Sequence, residues 1–425
     1  MAPARLLTLV LLLTLIPTLA EGSPHFALRP TPPGAVLLAP GVAFSEHNLA
    51  VNGRAMQVRV VACEDAASFR VVPAVAPGGL RRPETLRGIA QGAGAIAAIN
   101  GSFFGPSGFP IGTIVIDGQV ASLDTRSRSA FGLLADGTAQ IAPLAAKAFV
   151  TFDDYFEPIW LWGYNQPLKQ TAVVLYNRWL GSDQIAIGGG QRGIRLHDGK
   201  VLAAPPGSGA LALGGAPPTV EPRKDEAPHG VRRVVLSNKD LPSRQRDRPE
   251  VPAGPLVLGF AQSRDAGLAR AREGMQLYEG VVLPPVWKNA THLLTAGPTV
   301  LRDGRVVPQG SNPEGFAADV LGSAQRSLVG IGWNREVLLI QIAGTTTPSE
   351  AAELCRAVGC KSAMNLDGGG SSGLWVREPS GSARGFNADG RRLGSALVLV
   401  ADDHRRGRTV PYFDGAIFER WKAMQ

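Results

Sequence analysis

A chain of 425 residues is long enough to bury a large core, as one domain or two. Its 52 glycines and 33 prolines favour many short strands and turns over long helices. The net charge of +8 is spread over separate pairs such as Arg81-Arg82, Arg232-Arg233 and Arg391-Arg392, which reads as a solvated surface and excludes the concentrated basic stripe of a nucleic-acid binder.

Residues 1–20 read as a signal peptide. Arg5 precedes the apolar run from Leu6 to Ile16, and Thr18-Leu19-Ala20 is a small-residue end. The run falls short of the ~20 residues that span a bilayer, so cleavage is favoured over an anchor. No later segment reads as membrane-spanning, and the expectation is an exported protein, secreted, periplasmic or at the cell surface. Residues 21–54 read as a Pro-rich linker and N-terminal extension. From Ala55 to Val75, apolar alternation predicts two strands around Cys63 and Val71. Pro83 opens a short helix that ends near Gly92 or Gly94, followed by the buried strand Ala95 to Ile99.

Ile111 to Ile116 and Val120 form a hairpin about Asp117-Gly118. Ala130 to Leu134 and Ala139 to Ile141 form another about Asp136-Gly137. Thr171 to Tyr176 is a strand, residues 202–252 are a loop insertion, and Gly254 to Phe260 is a strand before a helix at Ala266 to Arg272. Thr299 to Arg302 and Arg305 to Val307 flank Asp303-Gly304. Ser327 to Ile331 pairs with Val337 to Ile342. Thr347-Pro348-Ser349-Glu350 is a capping box for a helix reaching Val358, with Gly359 as its stop. Leu393 to Val400 is the last buried strand, and residues 403–425 read as a basic tail. The pattern predicts one large α+β domain over residues 55–402, a strand-rich mixed sheet core with a few short helices.

Asn365-Leu366-Asp367-Gly368-Gly369-Gly370-Ser371-Ser372-Gly373 carries the most chemistry. One carboxylate heads three glycines and two hydroxyls, between a short strand and the strand Leu374-Trp375-Val376. Bare backbone there can approach a ligand, and consecutive N–H groups can form an anion nest. The alternative is an Asp-Gly hairpin turn without a ligand. Asp117-Gly118, Asp136-Gly137, Asp198-Gly199 and Asp303-Gly304 fit that plainer reading. Gly369-Gly370-Ser371-Ser372-Gly373 also fits the serine-hydrolase elbow, but that elbow needs a helix after its serine, and a strand is predicted. The six histidines lack metal-ligand spacing, so no metal site is assigned. A carboxylate beside hydroxyls could still take a divalent cation through oxygen. Three cysteines exclude a disulfide framework; Cys355 and Cys360 are near enough in sequence to bridge, against which stands the helix predicted through Cys355. Arg326, at the entrance of a buried strand, has the planar fork that suits phosphate.

With these pieces the chain resembles the phosphodiester glycosidase family. The resemblance rests on Ala98-Ile99-Asn100-Gly101-Ser102-Phe103-Phe104, Gly297-Pro298-Thr299-Val300-Leu301-Arg302-Asp303-Gly304, Arg326-Ser327-Leu328-Val329-Gly330 and Asn365 to Ser371. It spans roughly residues 55–400. Ser327 stands where the family usually has threonine, and Ala343-Gly344 where it commonly has Asp-Gly. The resemblance implies hydrolysis of a sugar 1-phosphodiester, with a carbohydrate or phosphorylated glycan as substrate; no cofactor is assigned, and a divalent cation stays open. It gives Asp367 the role of base, nucleophile or cation stabiliser at the anomeric carbon. Arg326 and the amides of Gly368, Gly369 and Gly370 would hold phosphate, with Ser371 and Ser372 completing the anion site. Asn100 would bond the sugar or fix the carboxylate, with Gly101 and Phe103 beside it. The competing reading is a non-catalytic polysaccharide-binding module of the same fold, favoured by Ala343.

Overall fold

The computed structural model describes residues 34–413 except 66, 107, 153–154, 167, 169–171, 182–183, 188–190, 198–199, 204–208, 213–254, 262–267, 269–273, 313 and 403–407. The signal segment, Asp198-Gly199, most of the 202–252 insertion and all but Leu268 of the helix expected at 266–272 lie outside the described residues.

Strands dominate, as the composition implies, and the helices are few and short. The main sheet has eight strands. In spatial order these are Val36–Ala39, Val42–Val51, Arg54–Cys63, Val337–Thr346, Ala324–Gly332, Cys360–Asn365, Thr299–Arg302 and Arg305–Val306. A second sheet of five runs Ala383–Phe386, Leu374–Arg377, Ala97–Asn100, Ser395–Ala401 and Phe69–Val75. Their period-2 patterns explain how they stack. Val61, Val329, Leu339 and Met364 from one face of the main sheet meet Val71, Ile99, Leu374 and Leu397 of the second. The opposite face of the main sheet, with Val58, Leu328, Ile340 and Ala363, packs on helix Pro348–Ala357 through Ala351, Leu354 and Cys355. Helix Leu86–Gly92 covers the far face of the second sheet through Leu86, Ile89 and Ala90, against Ala98, Trp375 and Val398. This part of the molecule is therefore four layers, helix–sheet–sheet–helix. A further core joins the remaining strands through Val150, Tyr164, Leu175, Leu258, Val281 and Trp287.

Several boundaries differ from the sequence reading, each for a tertiary reason. Residues 36–51, expected in a linker, form two strands of the main sheet, turned at Pro40-Gly41, where Gly41 has φ +73°. Pro40 marks that turn. Pro83 is not helical: Glu84 exchanges backbone bonds with Leu393, so the chain stays extended until Thr85, whose hydroxyl caps Gly88 N at 3.1 Å. Residues 200–203 and 209–212, at the start of the expected insertion, are strands. Residues 408–413, expected in a basic tail, fold back: Tyr412–Phe413 pairs in parallel with Leu277–Val282, and Asp117 accepts from Arg408 N at 2.8 Å. The Thr347 capping box forms as read, and Gly359 follows the helix at φ +98°. No disulfide links Cys63, Cys355 and Cys360, all buried, and burial pushes the Cys63 thiol up to about 12.

Candidate active site

The loop after Cys360–Asn365 lies where the two stacked sheets meet. Asp367 N donates to the Gly101 carbonyl at 3.0 Å, which ties the loop to the end of strand Ala97–Asn100. Asn100 then brackets the loop with both ends of its amide. Its Nδ2 donates to the Asp367 carbonyl at 2.7 Å, and its Oδ1 accepts from Gly373 N at 3.1 Å. The buried Asn100 is thus committed to backbone, and it fixes the segment bearing the carboxylate. Gly101 must lack a side chain, because a Cβ would sit 2.6 Å from Ser395 Oγ. Phe103, half-buried, lies 5.6 Å from the ring of Phe316.

The three glycines make different demands. Gly368 lies against the backbone of the main sheet, where a Cβ would come 3.2 Å from the Gln325 carbonyl and 3.6 Å from Arg326 Nη1. Gly369 has φ +60°, the left-handed region that favours glycine. Gly370 has neither constraint: its backbone is ordinary and a Cβ there would meet open space. The sequence Gly369–Ser371 forms a 3₁₀ turn and leads into strand Leu374–Arg377, so no helix follows Ser371, as the serine-hydrolase geometry would require.

Asp367 is half-buried, and that burial is the largest influence on it. Desolvation pushes its carboxyl up to about 6, against the opposing pull of the Ser371 hydroxyl, the Arg391 charge and the Gly368 amide. Ser371 Oγ also accepts from Arg391 Nη1 at 3.3 Å, and the Arg391 guanidinium stacks on Phe104 at 4.8 Å. Asn387 braces the outer side of the loop, its Nδ2 donating to the Gly370 and Ser372 carbonyls at 3.2 and 2.8 Å. Ser372 is wholly buried and its hydroxyl has no partner among the described residues, so it faces the interior and not the mouth of the loop.

Arg326, expected to hold phosphate, is enclosed. It is 1% exposed, and its guanidinium donates to three backbone carbonyls: Thr346 at 3.0 Å, Val320 at 2.8 Å and Gly322. Burial lowers its pKa, and no carboxylate pairs with it among the described residues. The fork is used to join chain segments beneath Gly368. Ala343, half-buried, lies opposite Gln57 in the main sheet, and Gly344 beside it has φ +100°.

Two cations escaped the sequence reading. Arg391 belongs to a pair read as surface; it reaches the site because the Glu84–Leu393 bridge folds its loop back over Phe104. Arg128, 7% exposed, lies over the Phe316 ring at 4.1 Å, behind Phe103. Its Nε is 3.8 Å from Asp124, which already bonds Arg126, and its Nε and Nη1 have no hydrogen-bond acceptor among the described residues. Glu314 closes this wall by accepting from Ser129 N and Oγ at 2.6 and 2.7 Å. Among the described residues no group of three His, Cys, Asp or Glu is placed to hold a metal ion.

Comparison with known proteins bears on this loop directly. Residues 242–400, which contain Arg326 and the whole Asp367 loop, match the family model described as phosphodiester glycosidase. That segment is similar to the phosphodiester glycosidases. No curated protein matches the chain. Among solved structures, a hypothetical protein from Synechocystis aligns with TM-score 0.63 at 18% identity, covering 86% of this chain and 63% of that one. The chain therefore spans less than two thirds of that relative. A protein from Burkholderia pseudomallei K96243, whose name calls it exported, aligns with TM-score 0.58 at 19% identity over 81% of this chain and 74% of its own. These two share the fold. The zebrafish N-acetylglucosamine-1-phosphodiester alpha-N-acetylglucosaminidase catalytic domain aligns with TM-score 0.42 at 12% identity, covering 86% of each chain. Among the described residues no helix is long and apolar enough to cross a membrane.

Proposed function

We propose that the protein hydrolyses the glycosidic bond of a sugar 1-phosphodiester, with Asp367 as the reacting carboxylate. The observation that carries the reading is the setting of Asp367. It is a desolvated carboxylate beside a hydroxyl and a cation, at the head of a loop whose Gly370 leaves open space, within the segment matched to phosphodiester glycosidases. Cleavage at an anomeric carbon builds positive charge on the sugar ring, which an ionised carboxylate stabilises or attacks. With a pKa near 6, Asp367 is ionised at neutral pH yet partly stripped of water, so its charge acts at low local dielectric. Phosphate departs as an anion and needs little protonation. Arg391 and the amides of the Gly368–Gly370 turn are assigned to that anion. Arg326 and Asn100 are positioning residues in this reading, and Ser371 orients the Asp367 carboxyl.

The test is sugar release from a panel of sugar 1-phosphodiesters by the purified protein and by Asp367→Asn. Release by the parent and a loss of at least a thousandfold in the variant are expected. A variant with parental turnover would remove Asp367 from the mechanism. Saturable glycan binding without any product would replace the enzyme reading with the binding-module reading, and Ala343→Asp would then be the first substitution to test for gain of turnover.

A further inference from the structure

A second feature lies at the far end of helix Leu86–Gly92 from the Arg391 loop. The helix begins beside that loop, with Arg87 N bonded to the Ala388 carbonyl, and ends about 10 Å away at ~1.5 Å per residue. There an open groove of about 1160 Å³ runs along the edge strand Phe69–Val75. Arg81, Arg82 and Arg178 line it, and no Asp or Glu does among the described residues. Arg70, on that edge strand, and Arg87, on the helix, are paired with Asp402 and Asp389, whereas no carboxylate pairs with any of the three groove arginines among the described residues.

These cations sit on braced backbone. Leu80 N donates to the Trp179 carbonyl at 2.9 Å, and Arg81 N to the Leu180 carbonyl at 3.3 Å. Gly79 and Gly181, at φ +80° and +72°, touch so closely that a Cβ on either would overlap the other loop. Two loops are therefore locked together with their arginines on one wall, and Arg178 is held over the Trp179 ring at 4.5 Å. Three guanidinium groups lining one groove on braced backbone, with no counter-charge among the described residues, form a receptor for a ligand with several anionic groups. The groove exceeds the roughly 300–1,000 Å³ of a drug-sized cleft, so it suits a chain and not a single small anion. A peptide added as a strand is disfavoured, because Pro73 removes a central N–H from the edge.

We propose that this groove is a binding site for an anionic glycan chain, one bearing phosphate or carboxylate groups, separate from the Asp367 loop. The choice of a saccharide rests on the family reading; the choice of an anionic chain rests on the groove itself.

The experiment is calorimetric titration of the full chain carrying Asp367→Asn. The probes are a phosphodiester-linked oligosaccharide, an alginate oligosaccharide and a neutral dextran oligosaccharide, each at low and at physiological salt. Binding of an anionic probe but not dextran is expected, weaker at higher salt. Affinity should fall at least tenfold in Arg81→Gln/Arg82→Gln/Arg178→Gln, with sugar release from a short phosphodiester unchanged when the same triple change is made in the Asp367 parent. Preference for the phosphodiester probe identifies phosphate as the recognised group; equal binding of alginate identifies charge alone. Equal binding of dextran, or full affinity in the triple variant, would overturn the proposal. Arg178→Gln alone, at an exposed position, provides the same comparison should the triple variant fail to fold. Binding without any turnover by the parent would refute the enzyme and leave the groove standing.

Discussion

Replacing Asp367 by Asn should make the protein more stable while removing its activity. Desolvation raises the carboxyl from 3.8 to about 6. That is a shift of about 2 units, and at 1.36 kcal/mol per unit it corresponds to about 3 kcal/mol of native-state cost when the group is charged. The pH dependence follows from the sign of the shift. Below about pH 4 the carboxyl is protonated in both folded and unfolded chains, and it contributes no penalty. Between about pH 4 and 6 the unfolded chain ionises first, so native stability falls as pH rises. Above about pH 6 both states are ionised and the full penalty remains. Asn keeps an acceptor for the Ser371 hydroxyl and the Gly368 amide but cannot ionise. Thermal unfolding of parent and variant from pH 4 to 8 should therefore show curves that coincide at the acid end and separate by up to about 3 kcal/mol at pH 8, with the variant higher. A variant equal to or below the parent at pH 8, or a gap independent of pH, would refute the claim that burial of charge dominates this site.

The other predictions concern the partners of Asp367. Activity of the parent should rise with pH through about 6, since the proposed reaction uses the ionised form; a profile that falls through that range would make Asp367 a general acid. Arg391→Gln removes a charge that favours ionisation, so the same limb should move to higher pH, and an unmoved limb would separate Arg391 from the carboxylate. Asn100→Ala strands the Asp367 carbonyl and Gly373 N–H and should cost roughly 2–4 kcal/mol in denaturant unfolding. Asn100→Asp, which sets a buried carboxylate oxygen against the Asp367 carbonyl, should cost at least as much. Gly370→Ala should change stability by no more than about 0.5 kcal/mol, since nothing lies within reach of its Cβ. Its KM for a sugar 1-phosphodiester should nonetheless rise several-fold. Unchanged kinetics would mean that the open space beside Gly370 is not used by substrate.

Local chemistry was legible in the sequence where its cause is local. The Thr347 capping box, the Gly359 stop, the hairpins about Asp117-Gly118, Asp136-Gly137 and Asp303-Gly304, and the alternating strands are set by neighbours within a few residues. The same holds for the strand–turn–strand setting of Asp367 and for each short motif of the family resemblance, since each is a contiguous run. What the tertiary structure decided depends on groups far apart in the chain. Residues 42–51 became a strand because Arg54–Cys63 offered an edge to pair with, and Val36–Ala39 then paired with them in turn. Asn100 became a clamp because its strand ends 267 positions away from Asp367 in sequence but within 2.7 Å in space. Arg326 and Arg391 lie in settings other than those their sequence positions suggested, for the same reason. The isolated motif shows a guanidinium, but only packing decides whether that guanidinium is consumed by three carbonyls or left facing a carboxylate and a hydroxyl. Residue type and spacing determine what a side chain can do; burial and long-range contacts determine which of those options remains open.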